Sequence, residues 1–200
     1  QTQMSDNKPV QLGLCCLNIT LKNQIIPIYP SRKIIQRIIK ERGICELKRR
    51  VYQNIEDLIK MIEWNEQNGI KVFRLTSELF PHKTNPNVED YTYDFVKDNL
   101  LAVGDLSRKY NQRLTFHPGF HNVVGTPTED TFQKTINDLN YHCEVLDMMK
   151  MDKHSVLVIH GGGVYDDKAK TLDRWCVNYY RLPINIQKRL VLENCEKNFS

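Results

Sequence analysis

Two histidines and a glutamate close three apolar segments of this chain: Arg113-Leu-Thr-Phe-His117, Val156-Leu-Val-Ile-His160 and Arg189-Leu-Val-Leu-Glu193. Two imidazoles with a carboxylate suit Mn, Zn or Fe. Each residue also has a plainer reading. A lone histidine on an apolar strand is commonly a satisfied core residue, and a carboxylate ending such a strand needs a partner of some kind. Repetition of the pattern at three strand ends favours a shared metal. Pro118-Gly119 follows His117 and turns the backbone sharply. Gly161-Gly162-Gly163 follows His160 and lets a ligand or phosphate approach the main chain. That glycine run lacks the Gly-x-x-x-x-Gly-Lys-Ser/Thr pattern of a P-loop.

Other residues at strand ends are more ambiguous. Arg74, near the end of Ile70-Lys-Val-Phe-Arg-Leu75, reads equally as a buried ion pair or a phosphate contact, and Asn18 after the first strand is similarly placed. Tyr165, Asp166, Asp167, Lys168 and Arg174 follow the glycine run, and their cations are candidates for a DNA backbone track. His142 falls within a predicted helix and His154 before a strand, so both read as surface or packing residues.

The elements that must position these groups alternate strand and helix. Val10–Cys16 reads as a first strand, and a connection containing Pro27 and Pro30 leads to a short helical piece after Ser31. Val51, Ile55, Leu58, Ile59 and Ile62 recur at helical spacing, with Gly69 as a stop. A second strand covers Ile70–Leu75, and Phe95, Val96, Leu100, Val103 and Leu106 mark the next helix. After the strand ending at His117, Thr126-Pro127-Thr128-Glu129 has the grammar of a helix start: hydroxyl cap, proline, then an acid. Phe132, Ile136, Leu139, Cys143 and Leu146 form that helix's apolar stripe. A strand over Val156–His160, a helix around Asp167–Tyr180 and a strand over Leu190–Glu193 complete the series.

This order predicts an α/β fold with a parallel sheet and right-handed crossovers. In a β/α barrel the chemistry sits at the carboxyl ends of the strands, where the loops converge. A complete barrel takes ~250 residues, so the expectation is a TIM-type β/α barrel represented by about five of its eight βα units. Residues 1–9 are expected to be a frayed or appended tail, with Met4 a candidate start, and residues 10–200 a single domain.

Composition sets broader bounds. The 200 residues are 40% hydrophobic and 26% charged, as in ordinary soluble globular proteins. No apolar run reaches the ~18 residues of a membrane span and no signal peptide opens the chain, which predicts an intracellular, cytoplasmic or nuclear protein. A net charge of +4 permits nucleic-acid binding without showing it. The cationic stretch from Ser31 to Arg50 reads as a solvated face or a phosphate contact. Six cysteines without C-x-x-C spacing (Cys15, Cys16, Cys45, Cys143, Cys176, Cys195) read as buried free thiols rather than a zinc site.

Five blocks then resemble, in order, those of the UV-damage endonuclease family: Leu12-Gly-Leu-Cys-Cys-Leu-Asn18, Phe73-Arg-Leu-Thr-Ser-Glu-Leu-Phe-Pro81, Arg113-Leu-Thr-Phe-His117-Pro-Gly, His160-Gly-Gly-Gly-Val-Tyr-Asp-Asp-Lys168 and Leu192-Glu193-Asn194-Cys-Glu196. The resemblance implies a β/α barrel with a metal cluster, usually containing manganese, that cuts DNA on the 5′ side of pyrimidine dimers. By the same resemblance His117, His160 and Glu193 are metal-binding and catalytic positions. Asn18 matches a lesion-pocket position, and Arg74 and Lys168 match basic positions near DNA. The implied mechanism is hydrolysis with two or three divalent ions, one generating hydroxide and another steadying the leaving 3′ oxygen. A dimer stacks and pairs poorly, so selectivity would follow from how cheaply it is extruded.

Three departures from the family pattern stand out. Where the family carries Gln-Tyr as duplex-probing residues, this chain has Phe120-His121; Phe120 can still intercalate and His121 can stack. A further family ligand falls at Asn85, with His82 three residues earlier. The family's later ligands have no counterpart before Ser200, so the expectation is a chain with little or no activity of its own, prone to self-associate through open strand edges. The rival expectations are an apurinic endonuclease or sugar isomerase on a related barrel, and a module that binds lesions in duplex DNA without cutting.

Overall fold

The computed structural model describes residues 10–165 and 167–193. Five strands, β1 (Leu12–Cys15), β2 (Ile70–Leu75), β3 (Arg113–Phe116), β4 (Leu157–His160) and β5 (Leu190–Glu193), form one sheet in the order β1-β2-β3-β4-β5. Every pairing is parallel. Chain order therefore equals spatial order, as successive units of a β/α barrel require. The connections hold α1 (Ile19–Lys22), α2 (Gln36–Arg42), α3 (Ile44–Gln67), α4 (Lys97–Lys109), α5 (Glu129–Met148), α6 (Lys168–Arg181) and α7 (Ile184–Gln187). Among the described residues no helix is long and apolar enough to cross a membrane.

The α3 helix shows why the apolar spacing dictates the packing. Leu47, Val51, Ile55, Leu58, Met61 and Ile62 recur on one face and are all fully buried. At about 1.5–3 kcal/mol per buried side chain, this stripe supplies much of the drive to dock the helix. Gly69 lies just beyond its end with φ +70°, a backbone setting that a side chain would strain.

The predicted boundaries shift in three places. The first strand stops at Cys15, because Cys16 takes a φ of 57° and leaves extended geometry. The α5 helix begins at Glu129, two residues after Pro127; Thr126 Oγ1 instead accepts the Thr128 N–H at 3.3 Å, which holds the segment as a turn. A separate short helix, α7, precedes β5. The outer strands are also less covered than a doubly shielded sheet would be: Leu12 is 65% exposed and Leu192 48% exposed. Each has a strand neighbour on one side only among the described residues. The predicted tail, residues 1–9, lies outside the described residues.

The cysteine and cation readings change as well. The five described cysteines are free, but Cys15, Cys45 and Cys176 are exposed and only Cys143 is buried. Cys45 and Cys176 sit on helices whose apolar stripes pass elsewhere, so the expectation of buried thiols fails for them. In the cationic stretch, Arg32 is neither solvated nor available to phosphate. Its guanidinium pairs with buried Asp57 at 2.6 Å and donates to the carbonyls of Tyr29 at 2.6 Å and Pro27 at 3.1 Å. Arg49 and Arg50 share Glu46 at 2.9 and 3.1 Å.

Gly104 lets α4 approach the end of α5 closely. A Cβ built there would lie 1.8 Å from the Met149 carbonyl oxygen, a backbone atom that cannot swing aside. Gly104→Ala is expected to destabilise the fold by about 1–3 kcal/mol or more. Urea unfolding measures this, and an unchanged midpoint would contradict the packing.

Candidate metal centre

His160 and Glu193 are register partners on β4 and β5, and His117 follows directly on β3. Three neighbouring strands thus deliver one potential ligand each to the same end of the sheet. Parallel pairing makes this possible, because it brings strand ends of the same polarity side by side. The ligand atoms of His117, His160 and Glu193 all lie within 4.8 Å of one another. His117 Nε2 stands 2.5 Å from Glu193 Oε2, and His160 Nδ1 stands 3.9 Å from the same oxygen. The two imidazoles meet edge to face, with centroids 4.9 Å apart.

The electrostatics favour an ionised carboxylate. Hydrogen bonding from His117 holds the Glu193 carboxyl below its usual range; burial opposes this, while the charges of His160, His117 and Arg74 reinforce it. His117 Nε2 carries the proton in that bond to Glu193; the Pro118 carbonyl, 3.3 Å from Nδ1, would take the ring proton instead when Nε2 coordinates an ion. Two imidazole nitrogens and one carboxylate converging on a half-exposed point fit a borderline divalent cation. Among the described residues three protein donors converge here, which would leave an ion further coordination positions.

The remaining predicted site residues fall into distinct settings. Asn18 is buried and caps α1, its Oδ1 accepting the Leu21 N–H at 3.0 Å, while its Nδ2 has no hydrogen-bond partner. Arg74 stands opposite Cys15 on β2, and its Nε is likewise buried and unpartnered. Phe120 is 83% exposed on the loop after β3, beside the exposed His121. Lys168 opens α6 at the surface. Arg174, considered for a DNA track, is committed elsewhere: its Nε donates to the Gly125 carbonyl at 2.8 Å. Asp166 and Asn194 lie outside the described residues. His82 does not join the cluster, because its Nε2 meets the Ile34 carbonyl at 2.6 Å and its Nδ1 meets Asn85 at 3.0 Å. His154 is exposed and His142 is fully buried between the Asp138 carbonyl at 2.6 Å and Ser77 Oγ at 2.9 Å, a surface and a packing residue as expected.

Sequence reasoning missed Asp138. Its carboxylate accepts from Asn122 Nδ2 at 2.8 Å and Thr84 Oγ1 at 3.1 Å, and lies 3.5 Å from His121. One side chain on α5 therefore ties the loop carrying Phe120 and His121 to the loop after β2. The only sequence hint was its i,i+4 spacing to His142 on one helix face. Asp138→Ala is expected to cost about 1–3 kcal/mol by orphaning these donors. Faster amide hydrogen exchange across residues 119–126 would register the loosened loop, and unchanged exchange would refute the tether.

Comparison with known proteins places the chain in a family and matches its scaffold. A family model described as UV-endonuclease UvdE matches residues 10–200. The chain is 39% identical to the UV-damage endonuclease of Schizosaccharomyces pombe over 202 aligned residues, covering 97% of this chain and 34% of that protein. It is 37% identical to the putative UV-damage endonuclease of Acanthamoeba polyphaga mimivirus, covering 95% of this chain and 58% of the relative. The crystal structure of SacUVDE superposes with a TM-score of 0.85 at 27% identity, over 96% of this chain and 63% of that one. The chain thus spans less than two thirds of the length of each of these proteins.

Proposed function

The chain belongs to the UV-endonuclease UvdE family, and from that premise we propose that it carries the strand-end metal centre of a DNA-repair endonuclease that cuts duplex DNA 5′ to UV photoproducts. The convergence of His117, His160 and Glu193 from three successive strands is the observation that carries this reading. These residues would hold a divalent ion, for which Mn²⁺ is the proposed identity, within a set of two or three. Bound there, a divalent ion supplies Lewis acidity toward a phosphodiester. Residues 10–200 act as one β/α domain in this proposal, within an intracellular protein.

The other residues serve the DNA. Nδ2 of Asn18 is a buried donor without a partner, suited to a base or sugar acceptor exposed by a lesion. Phe120 projects as an apolar wedge and His121 as a stacking group on a loop braced by Asp138. Arg74 and Lys168 contribute cations toward the phosphate backbone.

An incision assay on a duplex with a single pyrimidine dimer, run beside metal analysis, tests the reading. A nick 5′ to the dimer, even a weak one, that disappears with chelator supports it. Cutting at an abasic site but not at the dimer would replace it with an apurinic endonuclease, and turnover of a free aldose would replace it with an isomerase. Salt-dependent duplex binding that survives loss of both His117 and His160, with no bound metal, would replace it with a non-cleaving lesion binder.

Self-association through the outer strands belongs to the same proposal. Exposed Leu12 on β1 and Val191 and Leu192 on β5 offer apolar strand edges to a second chain. Sedimentation is expected to show dimers or larger species, and a monodisperse monomer would refute it.

A further inference from the structure

The carboxyl end of β1 holds two adjacent cysteines in a conformation that ordinary strand ends do not take. β1 stops at Cys15, and Cys16 follows with φ 57°, a region that non-glycine residues rarely occupy. The Leu17 N–H donates to the Cys15 carbonyl at 2.6 Å, closing a three-residue turn centred on Cys16. With a positive central φ, such a turn is the rare and strained form. Strain of this kind costs about 1–3 kcal/mol, persists only where the surroundings hold it, and gathers at functional sites. Here the Cys16 N–H donates to the Arg74 carbonyl at 2.8 Å, and its thiol to the Leu75 carbonyl at 3.7 Å.

The consequence lies in where the sulfurs point. Successive side chains of a strand face opposite sides, which would hold the two thiols apart. The reversal at Cys16 instead brings the two Sγ atoms to 3.9 Å, with Cys15 exposed and Cys16 half-buried. The other described cysteines, Cys45, Cys143 and Cys176, sit on three different helices.

We propose that Cys15 and Cys16 form a dithiol site that captures trivalent arsenic, beside Arg74 at the mouth of the sheet. Soft sulfur pairs select thiophilic centres. Burial pushes the Cys16 thiol up and neighbouring Cys15 adds to this, with Arg74 opposing, so Cys16 does not present a preformed thiolate. That disfavours zinc, which binds deprotonated sulfur. A trivalent arsenical needs no prior deprotonation. Two As–S bonds form, the bonds from arsenic to oxygen break, and both thiol protons leave with that oxygen as water. Arsenic stays trivalent, so nothing is oxidised or reduced.

Phenylarsine oxide and intact-mass spectrometry test the site, with a readout independent of metal loading and of incision. The whole chain is expected to gain a single reagent molecule less one water, and a small dithiol is expected to reverse the gain. Cys15→Ser and Cys16→Ser should each abolish it, and because Cys15 is exposed its variant also tests the site without disturbing the core. A chain with Cys45, Cys176 and Cys195 all changed to serine should keep it. Persistence of the adduct in Cys15→Ser, or its loss in the triple variant, would overturn the proposal.

Discussion

Changing Glu193 to glutamine is expected to weaken Mn²⁺ binding by more than the roughly 10–100-fold that loss of an outer-shell partner costs a metal site. The substitution preserves shape and removes the only anion of the cluster among the described residues, so two imidazoles would remain to hold a dication. Any dimer incision should fall by at least as much, since an ion held there would be both depleted and less neutralised. Titration of the protein with Mn²⁺, followed by calorimetry or by the spectrum of free Mn²⁺, measures it. An affinity within a factor of a few of the parent protein, marked as about 1 kcal/mol or less, would remove Glu193 from the centre. The pH dependence has a definite sign. Because His117 holds the Glu193 carboxyl below its usual range, its charge is fully present above the ordinary carboxylate range and is lost only as pH falls through the lowered value. Proton competition at Glu193 therefore begins at lower pH than for an unassisted glutamate. The side chain is 42% exposed, so solvent screening keeps the associated contribution to stability small.

Asp57→Ala is expected to produce the largest loss of stability, about 3–5 kcal/mol, the range for breaking a buried ion pair from one side. Asp57 is 3% exposed and accepts from Arg32, the Tyr29 N–H at 3.0 Å and Lys60 at 3.2 Å. Its loss leaves the Arg32 guanidinium 9% exposed without a counter-ion, although the Tyr29 and Pro27 carbonyls remain. Asn54 holds the same segment, accepting the Arg32 N–H at 2.8 Å and donating to the Leu79 carbonyl at 3.2 Å. The connection between β1 and α3 is thus pinned by polar bonds as well as by its buried Leu21 and Ile34. For a chain of this size the melting temperature should fall by about 2–4 °C per kcal/mol. Thermal unfolding of Asp57→Ala, Arg32→Met and the double variant forms the cycle, and the double should be less destabilised than the two singles added together. A loss of about 1 kcal/mol or less, as for an exposed pair, would show that the pair does not hold this segment.

Much of the architecture was legible because strands and helices announce themselves through local apolar spacing. The boundaries of β2 and β5 and the core stripe of α3 followed from residues a few positions apart. The errors came where local grammar competed with longer-range contacts. Thr126-Pro127 looked like a helix start, but Thr126 turns back on Thr128 and the helix begins later. Arg32 looked like part of a solvated cationic face, and only Asp57, distant in sequence, reveals it as a buried tether. Asp138 gave almost no signal, since the donors it gathers come from separate loops.

What the sequence determined by itself was the identity of the three strand-end donors, because periodicity fixes where strands stop and chemistry fixes what those residues can bind. That they meet was decided by tertiary structure. Parallel pairing in the order β1-β2-β3-β4-β5 sets His117, His160 and Glu193 on adjacent strands within 4.8 Å, a closeness that residues 33 to 76 positions apart in the chain cannot acquire locally. The same distinction explains the cysteines. Adjacency of Cys15 and Cys16 is written in the chain, but the left-handed turn that faces their sulfurs together depends on Arg74 and Leu75 of the neighbouring strand.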